Sequence, residues 1–115
     1  MNSIYFLFLS VVILTTACTQ KSELKVTSNN AEQNLATRGK KVYSQNCIAC
    51  HNPNPKIDGA IGPAIADSSI ELLTARLLHA NYPVNYKPKK SGHQMPALPA
   101  LELEIPALFS FLKGN

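Results

Sequence analysis

Residues 46–51 read Asn-Cys-Ile-Ala-Cys-His, and no other stretch limits the fold of this chain as strongly. Cys47 and Cys50 are followed directly by His51, in a sequence that holds only three cysteines and three histidines. Two thiols and an imidazole within five positions must converge on a common object, and the fold has to be built around it. The chain is small for that task. At 115 residues it amounts to one domain, near the size at which a hydrophobic core alone becomes marginal and staples are common. Tyr5, Phe6 and Phe8 fall at the N-terminus, leaving Tyr43, Tyr82, Tyr86, Phe109 and Phe111 for the rest, with no tryptophan. Something other than side chains is needed to fill the interior.

The N-terminal residues read as an export signal. Residues 4–17, Ile-Tyr-Phe-Leu-Phe-Leu-Ser-Val-Val-Ile-Leu-Thr-Thr-Ala, are uncharged and short of the roughly 20 apolar residues that a spanning helix needs. The boundary Leu-Thr-Thr-Ala-Cys resembles a bacterial lipoprotein signal. That resemblance implies cleavage after residue 17, lipidation of Cys18 as the new N-terminus, and a membrane anchor on the periplasmic side of the bacterial cell envelope. Thr15 stands where leucine is usual, and no lysine or arginine precedes the apolar run. Simple cleavage after Ala17 and an uncleaved anchor are the alternatives, and both also place the domain outside the cytoplasm. Residues 18–34 are polar with little to bury and read as a flexible tether. A coil of that length spans roughly 20–25 Å. The folded domain is then 35–115.

Within the domain the periodicity is helical. Leu35, Gly39, Val42 and Tyr43 share one helix face. Glycine costs a helix about 1 kcal/mol against alanine, so Gly39 on the apolar stripe predicts a close crossing by another helix. Ser68 with Glu71 reads as a capping box for a second helix, through Ile70, Leu73, Leu77 and Leu78 to about residue 81. A third covers about 104–113, presenting Ile105, Leu108, Phe109, Phe111 and Leu112, with Pro106 admissible only in its first turn. Residues 82–100 carry four prolines and read as a stiffened, functional loop.

Four chemistries fit the hexapeptide to different degrees. A closed zinc site needs four ligands, and His79 and His93 match no second pair. A redox dithiol belongs at a strand-to-helix turn, and no strand pattern is present. A plain disulfide leaves His51 without a role. Covalent haem attachment uses all three residues: Cys47 and Cys50 each add to a porphyrin vinyl group, and His51 is held beneath the iron. The porphyrin also supplies the missing core. If Met1 leaves with the signal, Met95 is the one remaining methionine, and it lies in the proline-stiffened loop as His-Gln-Met-Pro-Ala-Leu-Pro. It is the leading candidate for the sixth iron position, since Met/His ligation is a known cytochrome pairing that raises the reduction potential. His93 and His79 are its rivals for a bis-histidine site.

From Leu35 to Lys113 the chain resembles a class I, mono-haem c-type cytochrome. The resemblance rests on Gly-Lys-Lys-Val-Tyr-Ser-Gln-Asn-Cys-Ile-Ala-Cys-His, on Gly62-Pro63 about a dozen residues after His51, on Met95-Pro96, and on the final Ala-Leu-Phe-Ser-Phe-Leu. It implies an all-α, haem-enclosing fold in which Gly39 and Tyr43 meet Leu108 and Phe111. It also implies that the Pro63 carbonyl accepts the second N–H of His51, a bond that fixes the imidazole and strengthens it as a donor. Pro106 and Phe111 depart from the family pattern at positions that affect packing.

The implied function is one-electron transfer by a single haem c, rather than an enzyme reaction, with no small-molecule substrate. Lys40, Lys41, Lys87, Lys89 and Lys90 lie nearest the motifs and predict transient, salt-sensitive docking of acidic redox partners at the haem edge. The net charge of +4 is too mild to argue for nucleic acid. A haem peroxidase or gas sensor with an open iron, or a fixed electron-transfer subunit of a respiratory complex, are the alternatives.

Overall fold

The computed structural model describes residues 21–91 and 95–114, with side chains from residue 29 onward. Three α-helices follow one another: α1 (Lys21–Asn46), α2 (Ile70–His79) and α3 (Ile105–Lys113), the last entered through a 3-10 segment, Pro99–Glu104. No strand occurs among the described residues, so the fold is a small all-α one.

The C-terminal half of α1 packs across α3. Val42 and Tyr43 from α1 and Cys47 just past its end are buried with Ile105, Leu108 and Leu112 from α3, and Leu73 and Leu77 of α2 close the cluster. Tyr43 and Phe111 meet with ring centroids 5.3 Å apart and planes tilted by 48°, a favourable aromatic geometry. At the crossing, a Cβ on Gly39 would overlap the carbonyl oxygen of Ala107 and the Cβ of Phe111. The close approach predicted for Gly39 is present, though its backbone neighbour is Ala107 rather than Leu108. Leu35 remains 41 % exposed, one turn short of the crossing.

The polar stretch read as a coil is helical from Lys21 onward and continuous with α1. No glycine or proline stands between residues 21 and 38, so nothing blocks a helix nucleated by the packed half from propagating backwards. The side chains of residues 29–34 are exposed. Residues 21–34 therefore form a rod of about 20 Å, at 1.5 Å per residue, instead of a coil of similar reach.

Helix α2 starts one residue later than the capping-box reading placed it. Ser69 is the cap, its Oγ accepting from the Leu72 N–H at 3.2 Å, while Ser68 is buried. Glu71 sits in the first turn, where its own backbone N–H and the Ser69 hydroxyl hold its carboxyl below the usual range. The helix ends on Ala80 in the left-handed region, φ 51°, with Ala80 N–H donating to Arg76 O and Asn81 N–H to Ala75 O, both at 3.1 Å. Pro106 is the second residue of α3, where no helical N–H is required. Arg38 on α1 clamps Glu104 with two of its donors, Nε to Oε2 at 2.7 Å and Nη2 to Oε1 at 2.5 Å, which fixes the entry to α3.

Candidate functional site

The end of α1 delivers the two thiols and the imidazole to one place. Cys47 N–H makes a last helical bond to Tyr43 O at 2.9 Å, and the chain then turns once. Cys50 N–H and His51 N–H both donate to Cys47 O, at 3.1 and 2.9 Å. The next loop folds back onto this turn: Gly62 N–H and Ile61 N–H donate to Cys50 O at 2.8 and 3.3 Å. Tyr43 Oη donates to Asn52 O at 2.6 Å, and burial pushes its hydroxyl up to about 12, so it acts as a neutral donor. Pro55 is fully buried beneath, its carbonyl accepting from Ile65 and Ala66.

This folding-back places Pro63 O 2.9 Å from His51 Nδ1, the contact that the resemblance implied. A carbonyl can only accept, so Nδ1 carries the proton, and in the neutral ring Nε2 is the nitrogen with the lone pair. His51 is itself only 8 % exposed. Gly62 is needed for the approach, because a Cβ there would lie 2.5 Å from His51 Cε1 and 2.6 Å from Nδ1. Gly62→Ala is therefore expected to displace the ring or open the Pro63 contact, at a cost of about 1–3 kcal/mol, measurable by denaturant unfolding.

Cys47, Cys50 and His51 line a cavity of about 230 Å³ that is open on one side. Leu73 and Leu77 of α2 and Leu108 and Leu112 of α3 supply apolar wall, and Met95 enters from the proline-rich loop. Met95 is partly buried against the core cluster. His79 is exposed on α2 and takes no part in the lining, so the fold separates it from Cys47, Cys50 and His51. His93 and Cys18 lie outside the described residues.

The donor set fits a porphyrin better than the rival chemistries. Burial, with the neighbouring Cys50 adding, pushes the Cys47 thiol up to about 11, so Cys47 is not the lowered, attacking thiol on which a redox dithiol depends. Among the described residues no three His, Cys, Asp or Glu side chains converge as a metal-ion cage, and zinc would need such a set. A largely apolar cavity with two thiols and a tautomer-fixed imidazole in its wall is what a flat, apolar, covalently held cofactor requires.

The sequence reading missed two features of the rim. The first is Arg76, a buried cation on the inner face of α2. Its spacing from Leu73 and Leu77 was the available signal. The second is a clasp. Lys89 Nζ donates to Ala64 O at 2.9 Å and to Asp67 Oδ1 at 2.5 Å, while Lys90 Nζ reaches Gly59 O at 3.2 Å and Asp58 Oδ2 at 3.5 Å. Two of the five lysines nominated for partner docking thus tie the Met95 loop to the loop that carries Pro63.

Asp58 is held below the usual carboxylate range chiefly by the Ala64 N–H, and Asp67 chiefly by Lys89. With both values lowered by folding, their stabilisation is fully present above the ordinary value of 3.8 and is lost as pH falls through the lowered ones. Thermal unfolding followed between pH 5 and about 2.5 should therefore depend less on pH in the double variant Asp58→Asn, Asp67→Asn than in the parent.

Fold and cavity together define a small all-α haem protein with cysteine attachment. Residues 36–115, well over half of the chain, match the family Cytochrome c, and the chain belongs to that family. It is accordingly an electron-transfer haem protein whose Cys47, Cys50 and His51 form the attachment motif. Comparison with curated proteins and with solved structures gives no significant match.

Proposed function

We propose that the protein is a mono-haem electron carrier of the bacterial cell envelope, in which His51 and Met95 would ligate the iron and Cys47 and Cys50 would anchor the haem through thioethers. The observation that carries this reading is the His51 Nδ1 contact to Pro63 O at 2.9 Å, which commits Nε2 to be the donor in a cavity that Met95 also lines. The haem supplies a one-electron iron couple. The chain's part is to keep both ligands in place and water out. The apolar wall disfavours the additional positive charge of the ferric state, and the Met95 thioether acts in the same direction, so both raise the potential.

Export is supported by the uncharged run at residues 4–17, and anchoring by Cys18 after Leu-Thr-Thr-Ala. Several acyl chains on Cys18 would hold the protein on a membrane, where one chain alone binds marginally. Lys40, Lys41 and Lys87, the three nominated lysines outside the clasp, are exposed, whereas Lys89 and Lys90 are paired with Asp67 and Asp58. Exposed lysines support brief, salt-sensitive encounters with redox proteins. Association rates with a physiological partner are expected to fall as ionic strength rises. A complex that survives moderate salt would instead mark a fixed subunit.

The visible spectrum tests the ligand set. A low-spin ferric protein with the weak far-red band of sulphur ligation, and slow or absent carbon monoxide binding when reduced, is the expected result. A high-spin spectrum with fast carbon monoxide binding would replace the carrier with a peroxidase or gas sensor.

A further inference from the structure

Arg76 is 9 % exposed, and its described partners are two carbonyls and an aromatic face rather than a carboxylate. Nη1 donates to Ala80 O at 2.7 Å, at the left-handed residue that ends α2. Nη2 donates to Met95 O at 3.2 Å, nineteen residues along the chain. The guanidinium carbon lies 4.3 Å from the centroid of the Tyr82 ring, and Tyr82 is stacked on Tyr86 at 5.4 Å with planes 9° apart. A buried cation is expensive unless its donors and charge are compensated, and here carbonyl dipoles and a ring face provide the compensation.

The planar fork of arginine determines what such an arrangement does. Its donors lie in fixed directions, so a guanidinium held through Nη1 by Ala80 O and across its face by Tyr82 has its orientation set, and with it the place to which Nη2 points. Met95 O occupies that place. Three residues later Leu98 N–H donates to Leu77 O at 2.6 Å, one position after Arg76 on the same helix. The stretch from Met95 to Leu98 is thereby tied to α2 at two points, and the bond at Met95 itself is the one made through a side chain.

We propose that Arg76 is a positioning residue for the axial methionine: by holding the Met95 carbonyl against the end of α2, it keeps the thioether turned into the cavity that His51 shares. This rests on the ligand assignment above. Met95 lies outside any helix, so its sulphur would be held toward a bound haem only as firmly as its backbone is held. Loss of the Arg76 bond would make it easier for an added ligand to take the place of Met95 beside a bound haem.

The test is the affinity of the ferric holoprotein for added imidazole, read alongside the far-red sulphur band and far-UV melting. Arg76→Met keeps the volume and removes both donors. It is expected to bind imidazole on the order of tenfold more tightly, as loss of a charge-assisted hydrogen bond implies, and to show a weaker far-red band at 25 °C. Arg76→Lys keeps the charge but not the fork, and is expected to fall between Arg76→Met and the parent; it also serves if Arg76→Met fails to fold. Tyr82→Leu, which removes the stack, should move in the same direction by less.

Variants that melt earlier but keep the parent's imidazole affinity and band would reduce Arg76 to a packing role and overturn the proposal. A parent without the far-red band, whose imidazole affinity Met95→Ala leaves unchanged, would overturn the ligand assignment itself, and the proposal with it.

Discussion

Gly39→Ala should destabilise the protein by about 2 kcal/mol, although alanine is the better helix former by about 1 kcal/mol. The added Cβ would overlap the Ala107 carbonyl oxygen and crowd the Phe111 Cβ. The first obstacle is backbone, which cannot rotate away as the end of a flexible side chain does. Relief requires α1 and α3 to separate, and that loosens Tyr43 from Phe111 and Leu108 from the core. Because α3 contributes Leu108 and Leu112 to the cavity wall, the change reaches the site as well. Denaturant unfolding measures the effect. Gly39→Val should be worse, and a stability equal to that of the parent would mean that the helices do not cross here.

Met95→Ala should abolish the far-red band while leaving the covalent pigment in place. It should lower the reduction potential by on the order of 0.1 V or more, within the span of about 0.8 V that axial ligands command. The direction follows from the loss of a soft thioether that favours the ferrous state. A stronger donor such as water, hydroxide or a nearby nitrogen would take the vacated position. The ferrous form should then bind carbon monoxide readily. Redox titration with an optical readout records potential and ligation together. An unchanged spectrum would transfer the sixth position to another residue, His93 being the one remaining candidate from the sequence.

What could be read from the sequence was local or tied to a rare residue pattern. Cys47, Cys50 and His51 announced themselves by spacing, Gly39 by standing where a helix would rather have alanine, and Pro106 by the one turn that tolerates it. The helices α2 and α3 followed from apolar periodicity, with small errors at their ends. Ser68 and Ser69 are both competent caps, and burial of Ser68 is what assigns the role to Ser69. The 3-10 segment Pro99–Glu104 spans the end of the predicted loop and the start of the predicted third helix, because its one proline and two glutamates carry no helical period.

Other features depend on partners distant in sequence. The polar composition of residues 21–34 says that they bury little, and says nothing against a helix extending through them from a packed neighbour. Arginine at position 76 resembles a solvated residue until the Met95 carbonyl and the Tyr82 ring arrive from the following loop. Lys89 and Lys90 look like free surface charges, and only the fold brings Asp67 and Asp58 beneath them. Composition could place a cofactor in the core but could not identify which side chains hold the loop across it.

The most direct measurement is the intact mass of the purified protein together with extraction by acidified acetone. The account predicts one haem added to the polypeptide mass, pigment that stays with the protein through extraction, and loss of that attachment when Cys47 and Cys50 are both changed to alanine. A colourless protein at the bare polypeptide mass, or pigment that passes into the acetone, would contradict it.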